Sequence, residues 1–284
     1  MKPAPFAYHR PASLAAMLQL LAANAEGGKV IAGGQSLVPA MNFRLARPDV
    51  LLDINGLSEL DFLTLDHGVL RIGALTRHAA FDEPVAALPL ARLLSVVAHH
   101  IAHYPIRQRG TFCGSLGHAD PASEWCLVAR TLDAEIVARS SASERRIPAC
   151  EYFRGTFTTA LRGHELITQV HLPLHDERWR GGFYEFARRA GDFALAMALA
   201  AFRVEAGAIA EARVGVGGVE DRPLRLIELE ARMIGRAPEA ALWAEIGDAA
   251  RDLVKPVGDI HASAAYRKDL VGVVVKRALA RVCA

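Results

Sequence analysis

Several things that define other protein classes are scarce in this chain of 284 residues. Its four cysteines, Cys113, Cys126, Cys150 and Cys283, are scattered and include no CxxC pair. That spacing excludes a disulfide scaffold and a zinc ribbon. An iron–sulfur cluster is excluded too, because such clusters need closely spaced thiolates. No run reaches the roughly 18 apolar residues that a spanning helix requires. The N-terminal segment lacks the apolar core of a secretory signal, so a cytoplasmic location is expected. Charge of either sign is not in excess: 33 basic against 31 acidic residues leave a net +2, with no footprint for nucleic acid and no acidic tail. Dinucleotide and nucleotide fingerprints are also missing. Gly215 and Gly217 begin a GxGxxG, but Glu220 stands at its third glycine. Gly28-Lys29 runs into Val30 rather than Ser or Thr. There is no GxSxG nucleophile elbow.

Apolar residues, by contrast, are plentiful. They make up 52% of the chain, ample for buried cores, and the length suits two domains. Leu14, Met17, Leu18 and Leu21 recur at helical spacing behind Pro11 and a capping Ser13. Residues 30–32, 51–54, 69–72 and 167–172 read as strands, and 88–102 and 125–132 as helices. The polar, turn-rich stretch 174–182 reads as the boundary between domains 1–175 and 176–284. Beyond it, 183–188, 194–204 and 208–219 read as three strands, the second rich enough in Ala for helix propensity to compete. Two or three helices close the chain. Tyr266, Leu270, Val273, Val274 and Arg277 supply the apolar stripe of the last one, and Arg267, Lys268, Lys276, Arg277 and Arg281 its wet side.

The first segment with chemical content is Ala32-Gly33-Gly34-Gln35-Ser36-Leu37. Glycines after a strand let backbone N–H groups approach a ligand closely. Successive N–H groups at a helix start form a concave nest for anions. Ser36 adds a hydroxyl, and a pyrophosphate suits such a nest. The same residues also suit a tight strand–helix turn with a Ser cap, and the segment alone leaves both readings open.

A second glycine-containing loop spans residues 110–121. It combines small residues, two hydroxyls (Thr111, Ser115), Cys113, Gly114 and the acid Asp120, with Glu124 four positions on. Two such loops in one domain suit the two sides of a long diphosphate cofactor. An acid beside a pyrophosphate would be repelled, so Asp120 and Glu124 suit sugar or ribityl hydroxyls. They also suit a turn and the first turn of the next helix.

Together the two loops resemble the FAD-binding subunit of the xanthine dehydrogenase and carbon monoxide dehydrogenase group. That group's first loop reads like Ala-Gly-Gly-Gln-Ser-Leu. Its second reads like Arg-Gly-Thr-x-Gly-Gly-Ser/Asn followed by Ala-Asp-Pro, which residues 109–121 follow except that Cys113 replaces a glycine. Ala-Leu-Thr at 74–76, Pro-Ile-Arg at 105–107, Gly-Asp-Phe-Ala at 191–194, Arg-Pro-Leu at 222–224 and Ser-Ala-Ala-Tyr-Arg-Lys at 263–268 extend the likeness along nearly the whole chain.

The resemblance implies an α+β fold. An FAD-binding domain of the vanillyl-alcohol-oxidase type, itself of two subdomains, would precede a small domain of a three-stranded antiparallel sheet with helices. It implies that residues 32–36 and 111–115 hold the diphosphate and adjoining groups. Asp120 and Glu124 would take polar contacts, Leu166 and Arg188 would lie near the cofactor, and Phe193 near the isoalloxazine ring. It also implies a flavoprotein subunit that passes electrons to an external acceptor. They would come from iron–sulfur clusters on a small partner, fed by a molybdenum cofactor on a large one, in a dimer of heterotrimers. Two other functions stay open at this level. One is a stand-alone FAD oxidoreductase, with Tyr184 or His175 as a base. The other is an assembly subunit that has lost FAD, a reading that only Cys113 favours. His99 and His103 have the i, i+4 spacing of a metal pair, but no third ligand is evident, and they read as solvated or core histidines.

Overall fold

The computed structural model describes residues 2–282, so Cys283 lies outside the described residues. The chain opens with β1 (Ala7–His9), α1 (Leu14–Ala23), β2 (Gly28–Ile31), α2 (Leu37–Asn42) and β3 (Val50–Asp53). The three strands pair in parallel in the order β1-β3-β2. As the spacing predicts, α1 is capped by the Ser13 side chain, which accepts from Ala16 N, and it buries Met17, Leu18 and Leu21.

The hairpin of β4 (Leu63–Asp66) and β5 (Val69–Gly73) follows. Next come α3 (Pro89–His100), α4 (Tyr104–Arg107), α5 (Phe112–His118) and α6 (Glu124–Thr131). Then β6 (Glu135–Arg139), β7 (Glu144–Pro148), α7 (Ala149–Tyr152), a small hairpin of β8 (Phe153–Gly155) and β9 (Thr158–Thr159), and β10 (Leu166–Pro173) lead back to the sheet. That sheet is antiparallel, in the order β4-β5-β10-β6-β7.

The remainder is β11 (Trp179–Phe186), β12 (Ala196–Glu205), β13 (Ala208–Gly217) and β14 (Leu224–Arg225), then α8 (Ile227–Met233), α9 (Ala240–Ala250) and α10 (Ala264–Val282). Its antiparallel sheet has four strands, not three, because two-residue β14 pairs with Gly215 and Val216. A strand that short carries no periodicity to read.

The Ala-rich segment is a strand, and its composition has a packing cause. Met197, Leu199 and Ala201 of β12 pack into the core of the first half, while Ala196, Ala198, Ala200 and Phe202 pack into a second core with α8, α9 and α10. Both faces of this central strand are therefore buried, and small side chains let helices close on each face.

β11 starts at Trp179, inside the stretch expected to be a polar turn, and it ends at Phe186 rather than Arg188. Its glycines look like turn residues but serve close approach. A Cβ at Gly181 would lie 2.5 Å from Leu93 Cδ2 of α3, and one at Gly182 would lie 2.2 Å from the carbonyl of Ala278 in α10. The strand is wedged between those helices.

The stripe of α10 is also rotated from expectation: Leu270 and Val274 are buried, whereas Tyr266 and Val273 are exposed. Arg267 is not on the wet side. Only 6% exposed, it donates to Leu195 O, Gly218 O and Asp259 Oδ2. It thereby ties the start of β12 and the end of β13 to the loop before α10.

Candidate functional site

Where β2 ends, Ile31 lies in register with Asp53 of β3, and the chain turns into α2. The amides of Gly33, Gly34, Gln35, Ser36 and Leu37 donate to no protein acceptor among the described residues; the first amide of this turn that does is Val38 N, to Gly34 O. The turn lines a cleft of about 480 Å³ together with Asp53, Asn55 and Arg109. A run of unsatisfied amides beside a guanidinium is an anion nest: partial positive charge is held at fixed positions with no reorganisation needed. Ser36 stands at the N-cap of α2 but makes no cap hydrogen bond, so its hydroxyl is left for a ligand.

A polar strut fixes the nest. Asn55 Nδ2 donates to Ala32 O at 2.8 Å. Arg77 donates to Asn55 Oδ1 at 2.7 Å and also to Arg109 O. Asn55 N and Nδ2 both donate to Asp53 Oδ1, and the Tyr8 hydroxyl donates to Asp53 Oδ2. Burial works against the Asp53 charge, but the hydrogen bonds from Tyr8 and Asn55 outweigh it and hold the carboxyl below its ordinary value.

The two glycines of the nest do different work. A Cβ at Gly33 would lie 2.3 Å from Arg109 O and 2.7 Å from Gly110 Cα, so Gly33 is where the first and second loops touch. Gly34 has φ +71°, and a Cβ there would face Ile31 and Val38, each at 3.1 Å. Its requirement is the left-handed backbone, not clearance for a ligand.

The second segment is not all loop: residues 112–118 form α5, with Thr111 as its cap, accepting from Gly114 N at 3.0 Å. Phe112, Cys113 and Leu116 face the core, Gly114 and Gly117 are exposed, and Ser115 is half-buried. The Cys113 thiol lies 3.6 Å from Gly73 O and 3.7 Å from Ile72 O. Burial drives its pKa far up. The residue that departs from the family's glycine therefore turns its side chain into the core, not into the cleft.

Beneath the loop, Trp125 Nε1 donates to His78 Nδ1 at 3.0 Å. Burial lowers the His78 pKa to about 4. The ring is thus neutral at pH 7, with its proton on Nε2. Gly110 sits directly on it, because a Cβ there would lie 2.4 Å from Nε2.

After α5 come the acids. Ala122 N donates to Asp120 Oδ1, which is the turn role that the sequence permitted. Glu124 opens α6, and burial raises its carboxyl to about 7, with the charge of Asp120 adding to the effect. A third acid, missed in the sequence, faces it. Glu185 of β11 is in register with Met197, and Met197 with Gly217. Gly217 in turn packs against Pro121. Glu185 Oε2 is buried without a partner, and burial followed by the Glu124 charge raises this carboxyl to about 9.

Of the expected residues, Ala32, Gly33, Gly34 and Gln35 line the cleft; Ser36, Leu37 and those of the second segment do not, and neither do Leu166, Arg188 and Phe193. Leu166 begins β10 and is buried in the first core. Arg188 is exposed beyond the end of β11. Phe193 is 75% exposed, on a loop that rests on His103, since Gly191 abuts that imidazole. His100 packs edge-on against Phe183, and His99 Nδ1 contacts Ser95 O. Tyr184 is clamped by the guanidinium groups of Arg277 and Arg281, and His175 stacks on Trp179; neither lines the cleft. Asn55, Arg77 and Arg109 were missed as site residues. Arg109 could have been found, because it directly precedes Gly110 in the recognised motif. Asn55 and Arg77 had no signal of their own.

Comparisons with known proteins cover both halves of the chain. Residues 4–175 match the family described as the FAD binding domain in molybdopterin dehydrogenase, and residues 182–282 the CO dehydrogenase flavoprotein C-terminal domain. The chain is 38% identical to the 6-hydroxypseudooxynicotine dehydrogenase complex subunit alpha of Paenarthrobacter nicotinovorans, over 99% of this chain and 95% of that one. It is 33% identical to the glyceraldehyde dehydrogenase medium chain of Sulfolobus acidocaldarius, over 99% of this chain and all of that one. A solved carbon monoxide dehydrogenase chain from Hydrogenophaga pseudoflava superposes with a TM-score of 0.95 at 30% identity, covering 100% of this chain and 99% of that one.

Proposed function

The chain belongs to the family of FAD-binding medium subunits of molybdenum hydroxylases, and from that premise we propose that it holds FAD between its two glycine segments and relays electrons within a larger complex. One observation carries the binding half of this reading: five consecutive amides, 33–37, lack protein acceptors among the described residues, and the first three of these residues line a cleft with Arg109. Such a nest fits a diphosphate. Bound FAD supplies two-electron redox chemistry that can also run in single steps.

This chain's residues hold and orient the cofactor. The amides of 33–37 and the Ser36 hydroxyl grip the diphosphate, with Arg109 offsetting its charge. The exposed glycines of α5 let the ribityl chain lie close to the backbone. Asp120 and Glu124 accept from its hydroxyls. Phe193, on its exposed loop, covers the ring. Residues 1–175 form the FAD-binding domain and 176–284 the C-terminal flavoprotein domain. Substrate oxidation belongs to a large molybdenum subunit and the iron–sulfur clusters to a small one, in a cytoplasmic dimer of heterotrimers.

The test is the visible spectrum of the purified chain, with the released cofactor identified by chromatography. Flavin bands with non-covalent FAD are expected. A colourless folded protein that cannot be reconstituted with FAD overturns the binding reading. Co-purification with two further subunits, and reduction of the flavin only when both are present, tests the relay. Substrate-driven flavin reduction by the isolated chain would favour a stand-alone enzyme.

A further inference from the structure

A second cavity, of about 410 Å³, lies on the seam between the two halves of the chain and shares no lining residue with the cleft. Four arginines reach it from separate elements: Arg130 from the last turn of α6, Arg154 from β8, Arg222 from the segment before β14, and Arg225 from β14 itself. Arg225 is the one of the four with ion pairs among the described residues, to Glu230 and Asp133. Among the described residues, no carboxylate lies within ion-pair distance of Arg130, Arg154 or Arg222, and the Arg222 side chain has only the carbonyl of Arg154, at 3.4 Å. The lining contains a single acid, Glu151.

This is an unusual charge balance. Three guanidinium groups without an ion pair face one lining carboxylate, with Asp133 and Glu230 acting on Arg130 from beside Arg225, which leaves a net positive charge around a concavity of ligand-binding size. Arg130 is half-buried, and burial lowers its pKa, which means that its charge is held there at a cost. Guanidinium forks are matched to phosphoryl oxygens in both geometry and charge. A carboxylate would neutralise one charge, whereas a phosphoryl dianion neutralises two.

We propose that this seam is a binding site for the dianionic phosphoryl group of a small molecule, separate from the FAD cleft, and that its occupation clamps α6 and β8 to β14. The exposed thiol of Cys150, which also lines the cavity, reports on occupancy.

The experiment uses the flavin-loaded protein with Cys283→Ser, so that Cys150 is the reactive thiol; Cys113 and Cys126 are buried. The rate of its alkylation by iodoacetamide is measured in inorganic phosphate, in pyrophosphate, and in acetate at matched ionic strength. At least five-fold protection by phosphate or pyrophosphate, little by acetate, and loss of that protection in Arg222→Gln and Arg154→Gln are expected. These two side chains are exposed, so both variants should fold, and an unchanged melting temperature without ligand verifies this. Equal protection by acetate would mean charge screening only. That result, no protection at all, or protection that survives both substitutions would each overturn the proposal. Protection by pyrophosphate but not by inorganic phosphate supports the proposal with a diphosphate as the group bound.

Discussion

The two glycine segments look alike in sequence and solve opposite problems. In 33–37 the amides are left open and the hydroxyl of Ser36 caps nothing. In the second segment Thr111 caps Gly114, Phe112 N donates to Thr76 O, and Ser115 N donates to Thr111 O. The first segment is a binding surface made of unsatisfied backbone. The second has largely satisfied its own backbone and offers a small-residue helical face with acids at its far end. Glycine therefore marks different things here: at Gly33 contact between the segments, at Gly114 room for the Thr111 cap, and at Gly117 an open helix face.

This contrast can be broken most sharply at the point of contact. Gly33→Val forces a branched side chain against Arg109 and Gly110 and should separate the two segments. Bound flavin, read as the ratio of visible to 280 nm absorbance, should fall to background, while circular dichroism reports whether the rest still folds. Retention of FAD at normal affinity would mean that the segments do not act on one ligand.

The next largest effect is one of pH, and it belongs to the second segment alone. The Glu185 carboxyl is raised to about 9 and that of Glu124 to about 7, chiefly by burial. Their ordinary values are near 4.5. An acid whose folded value is raised leaves stability intact below its unfolded pKa and lowers it as pH rises towards the folded value. Melting temperature should therefore fall between about pH 5 and pH 9, and Glu185→Gln should flatten that slope. An unchanged profile in the variant would remove Glu185 from the acid group.

Two smaller effects set one hydroxyl against the other. Thr111→Ala deletes a real cap and should cost about 1 kcal/mol, lowering the melting temperature by about 2–4 °C in a chain of this size. Ser36→Ala deletes no cap hydrogen bond, so stability should change by less than about 0.5 kcal/mol, while FAD binding, followed by equilibrium fluorescence, should become measurably weaker. If Ser36→Ala destabilised the fold as much as Thr111→Ala, the two segments would be equivalent after all.

Much of this molecule was legible before its structure. Helical spacing located α1 and most of α3 and α6, and the two Gly/Ser segments with their flanking residues identified the family. What stayed hidden is specific. Residues 179–182 read as a turn because they hold two glycines and arginine, yet they are strand, because α3 and α10 press on both faces. Glu185 read as an ordinary strand residue, and only the register through Met197 and Gly217 brings it beside the second segment. Cys113 read as a possible obstruction, and it turned out to point at the carbonyls of Ile72 and Gly73.

The sequence by itself determined where backbone could be left open, which helices could form and which family's motifs the chain carries, because these depend on residue type and on neighbours a few positions away. Only the tertiary structure decided what each glycine is for, which face of α10 is buried and which arginines go unpaired at the seam. Those outcomes depend on contacts between residues far apart in the chain, such as Gly33 with Arg109, Gly182 with Ala278 and Arg225 with Asp133. Local periodicity carries no information about such partners.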